Sequence, residues 1–421
     1  MAVRRIEASA NISKVMDIFY ESIRGYDKIA WCMGPVPYEV MFVSGVGCFL
    51  AENTATRIAS AHLQDEYLDY SKSAGLGVEC CSYAKINIGQ ALMMRDGVHI
   101  PERFRLPKPD FIALGDACAS MMQWARCLGE IFDVPVFIFD MPFVESDSDE
   151  EAMNAVIYHK ERLKEFIVFL EGITGKTFDM ELLKERCNHI TEMGIWRQLI
   201  FDMQKVIPAP SSFIDNAVVM GPSLTIRTPE ATELFKEFAQ EVVRRAAFGI
   251  GSSDQEKYRL MWRGNFPWYK VGALSKLFDK HSAVLVGGCY ALLKDSLRCA
   301  DLFPPLGYPS DDPLLHVSAD YAISGYSMGF DPKYNMQVKR FIEDFHIDAV
   351  IVHSPHTCRP WGMGAFDMRN RIKEEFGIPA IVLELDHTDE SYYNDAQVET
   401  RIQALLEEVD AQRAMGLGRK I

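Results

Sequence analysis

The chain of 421 residues contains no Cys-x-x-Cys pair, although it has ten cysteines, at positions 32, 48, 80, 81, 118, 127, 187, 289, 299 and 358. That absence excludes a zinc ribbon and a thioredoxin-type redox motif. There is no G-x-x-x-x-G-K-[ST] either, so no P-loop to cradle a nucleoside triphosphate. Basic residues are scarce: 44 Lys and Arg against 59 Asp and Glu leave a net charge of −15, the wrong sign for a nucleic-acid surface. No apolar run reaches 18 residues, so no membrane span is expected. The opening "MAVRRIEASANISKVMDIFY" lacks the apolar stretch of a signal peptide. A cytoplasmic location and reduced thiols are the corresponding expectations.

What is present is ordinary globular composition, 48% hydrophobic and 24% charged. The length implies two to three domains, large enough to bury their cores without staples. "FIAL" (111–114) is a short buried strand by composition and length. "DACASMMQWARCLGEIF" after it has apolar residues at helical spacing, and "VPVFIFD" is a second buried strand. Strand, helix and strand at this separation predict a βαβ unit and a parallel sheet. A further strand falls in Ser282–Leu292, ending in paired glycines. Near the C-terminus "AVIV" is a strand, "GAFDMRNRIKEEFG" a helix that ends at Gly377 with Pro379 soon after, and "PAIVLELD" the next strand. Between these regions helix formers dominate, with Ser146 and Ser148 offered as N-caps. The chain divides accordingly into an N-terminal α/β domain (1–147), a largely helical segment (148–255) and a C-terminal α/β domain (256–421). No strict repeat appears, but the two α/β units share one layout: a strand, a cysteine just past its carboxyl end, a helix, then another strand.

That layout gives two cysteines a place. In open α/β sheets, ligands bind beyond the carboxyl ends of the strands. Cys118 follows "FIALGDA" and Cys358 lies in "HSPHTCRPWG". Two such edges facing one another would bring these thiols together, with Cys81 or its neighbour Cys80 in "GVECCSYAKINIGQ" as a third. Thiolates on separate loops can hold an iron–sulfur cluster. Cysteine is also among the most buried residue types, and the residues alone leave both readings open. Cys48 and Cys127 are read as core.

Several stretches together, "CSYAKINIG", "LPKPDFIALGDACASMMQW", "VPVFIFDMPF", "EKYRLMWRGNFPWYK" and the long run from "HSPHTCRPWG" onward, resemble the 2-hydroxyacyl-CoA dehydratase / benzoyl-CoA reductase family from about residue 30 to the C-terminus. The resemblance implies two Rossmann-like α/β domains with parallel sheets, an added helical segment, and a [4Fe-4S] cluster between the domains. The implied ligands are Cys81, Cys118 and Cys358, which leave one iron open. It further implies a related second subunit with its own cluster, a separate homodimeric ATPase as electron-donating activator, and an acyl-CoA substrate. Glu52 in "FLAENTATRIAS" resembles a family glutamate with the role of general base; a solvated helix carboxylate is the plain alternative. Some dehydratases carry a serine in the turn that here reads Met33-Gly34. His353, His356 and Arg359 are candidates for contacts to the cluster, and Trp124 and Trp361 for packing around it. The expected function is elimination of water from a 2-hydroxyacyl-CoA by one-electron chemistry. Aromatic-ring reduction of the benzoyl-CoA reductase type is an alternative, as is a reductase with a larger double cluster, which needs about six thiols where the matched positions supply three.

Overall fold

The computed structural model describes residues 5–140, 142, 149–212, 215, 217, 229–288, 311–322, 338 and 341–417. Cys289, Cys299 and the N-cap serines 146 and 148 lie outside the described residues.

The strands form two four-stranded parallel sheets among the described residues, as expected for a pair of Rossmann-like units. The first runs β2-β1-β3-β4, with β1 (Lys28–Met33), β2 (Val46–Leu50), β3 (Phe111–Gly115) and β4 (Val136–Phe139). The second runs β6-β5-β7-β8, with β5 (Tyr258–Arg263), β6 (Ala283–Gly288), β7 (Ala349–Pro355) and β8 (Ala380–Leu385). Composition located β3, β4 and the C-terminal strands. It did not separate β1 and β2, whose short sequences KIAWCM and VGCFL lie close to a turn-rich stretch.

Each sheet is covered on both faces, and period-two alternation decides which side chain goes where. Ile29, Trp31, Met33, Ile112 and Leu114 pack against helices Ala51–Ser60, Ser82–Arg95 and Ala119–Phe132. Ala30, Cys32, Phe111 and Ala113 face the other way, onto Leu163, Phe166, Leu170 and Leu183 of helices Asp149–Thr174 and Met180–Asp202. The helical segment therefore roofs the first sheet. Helix Pro229–Ala247 packs against the N-terminal helix Glu7–Ile23. In the second sheet Leu260 and Trp262 meet helix Asp395–Ala414, while Met261 and Val350 meet helix Ala365–Phe376. Gly377 ends that last helix in the left-handed conformation, its N–H on the Lys373 carbonyl.

The two sheets share one connectivity. In each, the chain leaves the first strand outward to the second and then crosses back to the third. The crevice so created lies past the carboxyl ends of β1 and β3, and of β5 and β7. The turns there match: β1 runs into Met33-Gly34-Pro35-Val36-Pro37-Tyr38 and β5 into Arg263-Gly264-Asn265-Phe266-Pro267-Trp268. Gly34 and Gly264 both have positive φ, +68° and +105°, which only glycine adopts without strain. A Cβ on Gly264 would also stand 2.9 Å from the His353 carbonyl oxygen.

Gly264→Ala is expected to lower stability by about 1–3 kcal/mol, read as a fall in Tm. Gly194→Ala, mid-helix with nothing within 4 Å of the added methyl, is expected to raise it by about 0.5–1 kcal/mol.

Candidate functional site

Cys118 follows β3 and Cys358 follows β7, at equivalent places in the two sheets. Cys81 precedes helix Ser82–Arg95. Each of the three is the residue on which a helix begins. The nearby backbone N–H groups of Tyr83 and Ala84 at Cys81, of Ser120 and Met121 at Cys118, and of Trp361 at Cys358 favour the thiolate form. The three thiols lie within electrostatic reach of one another. Their residues keep some exposure at the cleft, but the sulfurs are crowded by protein. Burial pushes the Cys81 thiol up to about 12, against those N–H groups, and raises Cys118 and Cys358 as well. Bare, all three would be protonated at neutral pH; coordination to a metal is what would deprotonate them.

The donor set is three thiols on separate loops, the ligand chemistry that an iron–sulfur cluster takes. Among the described residues no three His, Cys, Asp or Glu side chains close on one metal position. A mononuclear ion with bonds of about 2.3 Å needs its thiolates within about 4 Å of each other. In a cube each thiolate holds a different iron, so three soft donors can stand farther apart. Cys80 points elsewhere: it is half-buried and lies near Cys127 on helix Ala119–Phe132. Cys127 is itself half-buried, at the edge of the core. Cys48 is fully enclosed, as expected.

One carboxylate ties the thiol-bearing loops together. Asp386, just past β8, accepts hydrogen bonds from the Ser82 hydroxyl at 2.5 Å, the Thr357 N–H at 3.0 Å and the Thr357 hydroxyl at 2.6 Å. It also accepts from the backbone N–H groups of Thr388 and Asp389. The Ser82 N–H donates to the Thr357 hydroxyl oxygen, and the Thr388 hydroxyl to that of Ser82. Ser82 adjoins Cys81 and Thr357 adjoins Cys358, so both cysteines are placed through one buried anion. Burial opposes that charge, yet nearby His387 and the hydrogen bonds from Ser82 and Thr357 hold the carboxyl down at about 2.

His387 is the histidine that reaches a thiol, its Nε2 being 3.8 Å from the Cys81 Sγ. Sequence reasoning missed it, as it missed Asp386. Burial lowers its pKa and keeps the ring neutral. The histidines flanking Cys358 turn away. His353 meets the Asn265 carbonyl through Nδ1, and exposed His356 stacks on Tyr392. Arg359 is exposed. Buried Arg263 lies over the Trp361 ring at 5.1 Å and donates to the Trp361 carbonyl. Trp124 is buried in the first core.

Glu52 opens helix Ala51–Ser60 from the end of β2. Its Oε1 accepts the Gly34 N–H at 2.7 Å, and its Oε2 is buried with no partner among the described residues. Burial pushes this carboxyl up to about 7, against backbone N–H groups including that of Gly34. It lies within electrostatic reach of Cys118 and Tyr83. Glu52 is thus a buried carboxylate beside the thiols, not a solvated one. Two turns further along this helix a groove of about 670 Å³ opens, lined by Tyr20, Arg57, Arg103, Phe104 and Trp268.

Residues 27–409 match the family model described as 2-hydroxyglutaryl-CoA dehydratase, D-component. The chain belongs to that family. It is 25% identical over 394 residues to the (R)-2-hydroxyisocaproyl-CoA dehydratase alpha subunit of Clostridioides difficile, covering 93% of this chain and 92% of that one. It is 25% identical over 399 residues to the lactoyl-CoA dehydratase subunit alpha of Anaerotignum propionicum, 92% of each. A benzoyl-CoA reductase subunit of Thauera aromatica matches at 25% over 356 residues, 82% of this chain and 80% of that one. The D-component match spans both sheets and all of the site residues described above. Among the described residues no helix is long and apolar enough to cross a membrane.

Asp386→Asn is expected to cost about 2–5 kcal/mol, because hydroxyl and N–H donors lose a buried anion. Denaturant melts against pH check the cause. A carboxyl held low stabilises above its unfolded value, so the gap to wild type should be full above about pH 4 and shrink toward pH 2.

Proposed function

We propose that this chain is the cluster-bearing subunit of an oxygen-sensitive (R)-2-hydroxyacyl-CoA dehydratase, with Cys81, Cys118 and Cys358 as ligands of a [4Fe-4S] cluster. The observation that carries the reading is the proximity of three thiols and one buried carboxyl whose Oε2 has no partner among the described residues. When bound, such a cluster supplies low-potential electrons and a Lewis-acidic iron at the corner no protein ligand fills. The net reaction takes a hydroxyl from C2 and a proton from C3 of the acyl group and yields a 2-enoyl-CoA and water. One electron added to the thioester carbonyl makes the C2 hydroxide a feasible leaving group and the C3 proton acidic. The same electron is returned after the proton departs.

Within this scheme Glu52 takes the C3 proton on Oε2. The Gly34 N–H fixes the other oxygen, and burial holds the carboxyl near the pH at which a general base works best. The buried surroundings exclude water from a reactive radical. Three relatives named as alpha subunits support a partner subunit. With no P-loop in this sequence, ATP use falls to a separate activator. The acyl-CoA enters along the groove beside helix Ala51–Ser60, whose lining combines Arg103 and the Asp17-paired Arg57 with Glu21, Tyr20 and Trp268. Similarity to the benzoyl-CoA reductase subunit of Thauera aromatica supports ring reduction as the second reading.

Anaerobic purification with its partner should give about four irons per chain, and Cys358→Ser should lose them; full retention would contradict the ligand assignment. With activator, ATP and reductant, conversion of a 2-hydroxyacyl-CoA but not benzoyl-CoA is expected, and the opposite preference would favour the second reading.

Glu52→Gln keeps the Gly34 bond and is expected to lower kcat by about 10²–10⁴-fold. In wild type, kcat/KM should fall as pH drops through about 7. A carboxyl raised in the folded state costs stability once it ionises. Glu52→Gln should therefore melt higher than wild type at pH 8, by up to about 3 kcal/mol, and equal it at pH 4.

A further inference from the structure

The crevice holds few hydrogen-bond donors that are not already spoken for. The Ser82 and Thr357 hydroxyls both donate to Asp386, the Thr388 hydroxyl to Ser82, and the Tyr269 hydroxyl to the Asp386 carbonyl. The Gly34 N–H is taken by Glu52. The turn at Met33-Gly34 contributes no side-chain hydroxyl.

Tyr83 is different. Its hydroxyl oxygen accepts the Trp268 indole N–H at 2.5 Å, and its own proton has no acceptor among the described residues. The ring is buried and held against His387, centroids 4.0 Å apart. It lies within electrostatic reach of Cys81, Cys358 and Glu52 together. Tyr38 also has an unpartnered buried hydroxyl and lies within electrostatic reach of Glu52, but it packs in the core beneath the first sheet with Cys32, Cys48 and Tyr321. Trp268 lines the groove and donates to Tyr83, so the tyrosine stands where the groove meets the thiols.

Resting on the dehydratase reading, we propose that Tyr83 is a catalytic hydrogen-bond donor that binds the thioester carbonyl oxygen of the acyl-CoA, with Trp268 aiming and polarising its hydroxyl. An acceptor bond from the indole strengthens the phenol as a donor. A preorganised donor aimed where negative charge develops is typically worth about 10²–10³ in kcat.

The test uses the anaerobic enzyme with its partner subunit. Tyr83→Phe preserves ring packing on His387 and removes one hydroxyl. The expected result is wild-type iron content with kcat down about 10²–10³-fold. Trp268→Phe should give a smaller loss in the same direction. A second readout needs no turnover: the infrared C=O stretch of a ¹³C-labelled 2-hydroxyacyl-CoA bound without activator. It should be shifted to lower frequency in wild type, less in Trp268→Phe, and not at all in Tyr83→Phe. An unchanged shift and a kcat within about threefold of wild type in Tyr83→Phe would overturn the proposal. So would loss of iron in that variant, which would make the hydroxyl structural. If wild type converts no 2-hydroxyacyl-CoA, the dehydratase reading fails, while the carbonyl shift still decides whether Tyr83 binds the thioester.

Discussion

The site depends on the buried Asp386 carboxylate. Cys81 and Cys358 belong to different sheets and lie far apart in sequence, and no covalent link holds their loops in register. Asp386 does so by accepting from the residue beside each, Ser82 and Thr357. A buried anion is costly alone and strong when every lone pair is used. Five donors from Ser82, Thr357, Thr388 and Asp389 meet that condition. The bridge therefore stabilises the meeting of the halves and sets the geometry of the crevice at once. Lys85, fully buried and paired with Asp389 at 3.6 Å, adds a cation behind the same network.

Burial then acts on every titratable group in the crevice, and its effects diverge by chemistry. It raises the thiols, so that without a metal they stay protonated at neutral pH. It raises Glu52 to about 7, the range in which a carboxyl exchanges a proton most readily at neutral pH. It lowers His387, which keeps a neutral imidazole beside Cys81. In that form the ring has one N–H, and the Cys81 sulfur is the partner found for either nitrogen among the described residues. A bond from Nε2 to sulfur would tune a cluster held there.

The parallel sheets were legible because β3, β7 and β8 are apolar runs of strand length followed by helical periodicity. The positions of Cys118 and Cys358 past strand ends followed from the same pattern. Cys81 or its neighbour Cys80 was a third candidate by residue type, and only the resemblance chose Cys81, since a stretch opening a helix carries no periodicity that says where it points. Asp386 and His387 were illegible for a clearer reason. "DHTDE" reads by composition as a solvated loop, and it is buried only because Ser82, 304 residues away, supplies a donor. His353, His356 and Arg359 looked promising through adjacency to Cys358. Adjacency along an extended segment sends neighbouring side chains in opposite directions, so His353 points to Asn265 and His356 to Tyr392.

The two halves repeat one scaffold, and their differences divide the work. Both place a glycine with positive φ at the end of the first strand, where a backbone N–H or carbonyl must approach closely. In the first half that turn, at Gly34, grips Glu52; in the second, the residue before Gly264 is Arg263, buried against Trp361. The same turn thus carries a buried carboxyl in one half and a buried guanidinium in the other, so one backbone device presents opposite chemistry in the two sheets.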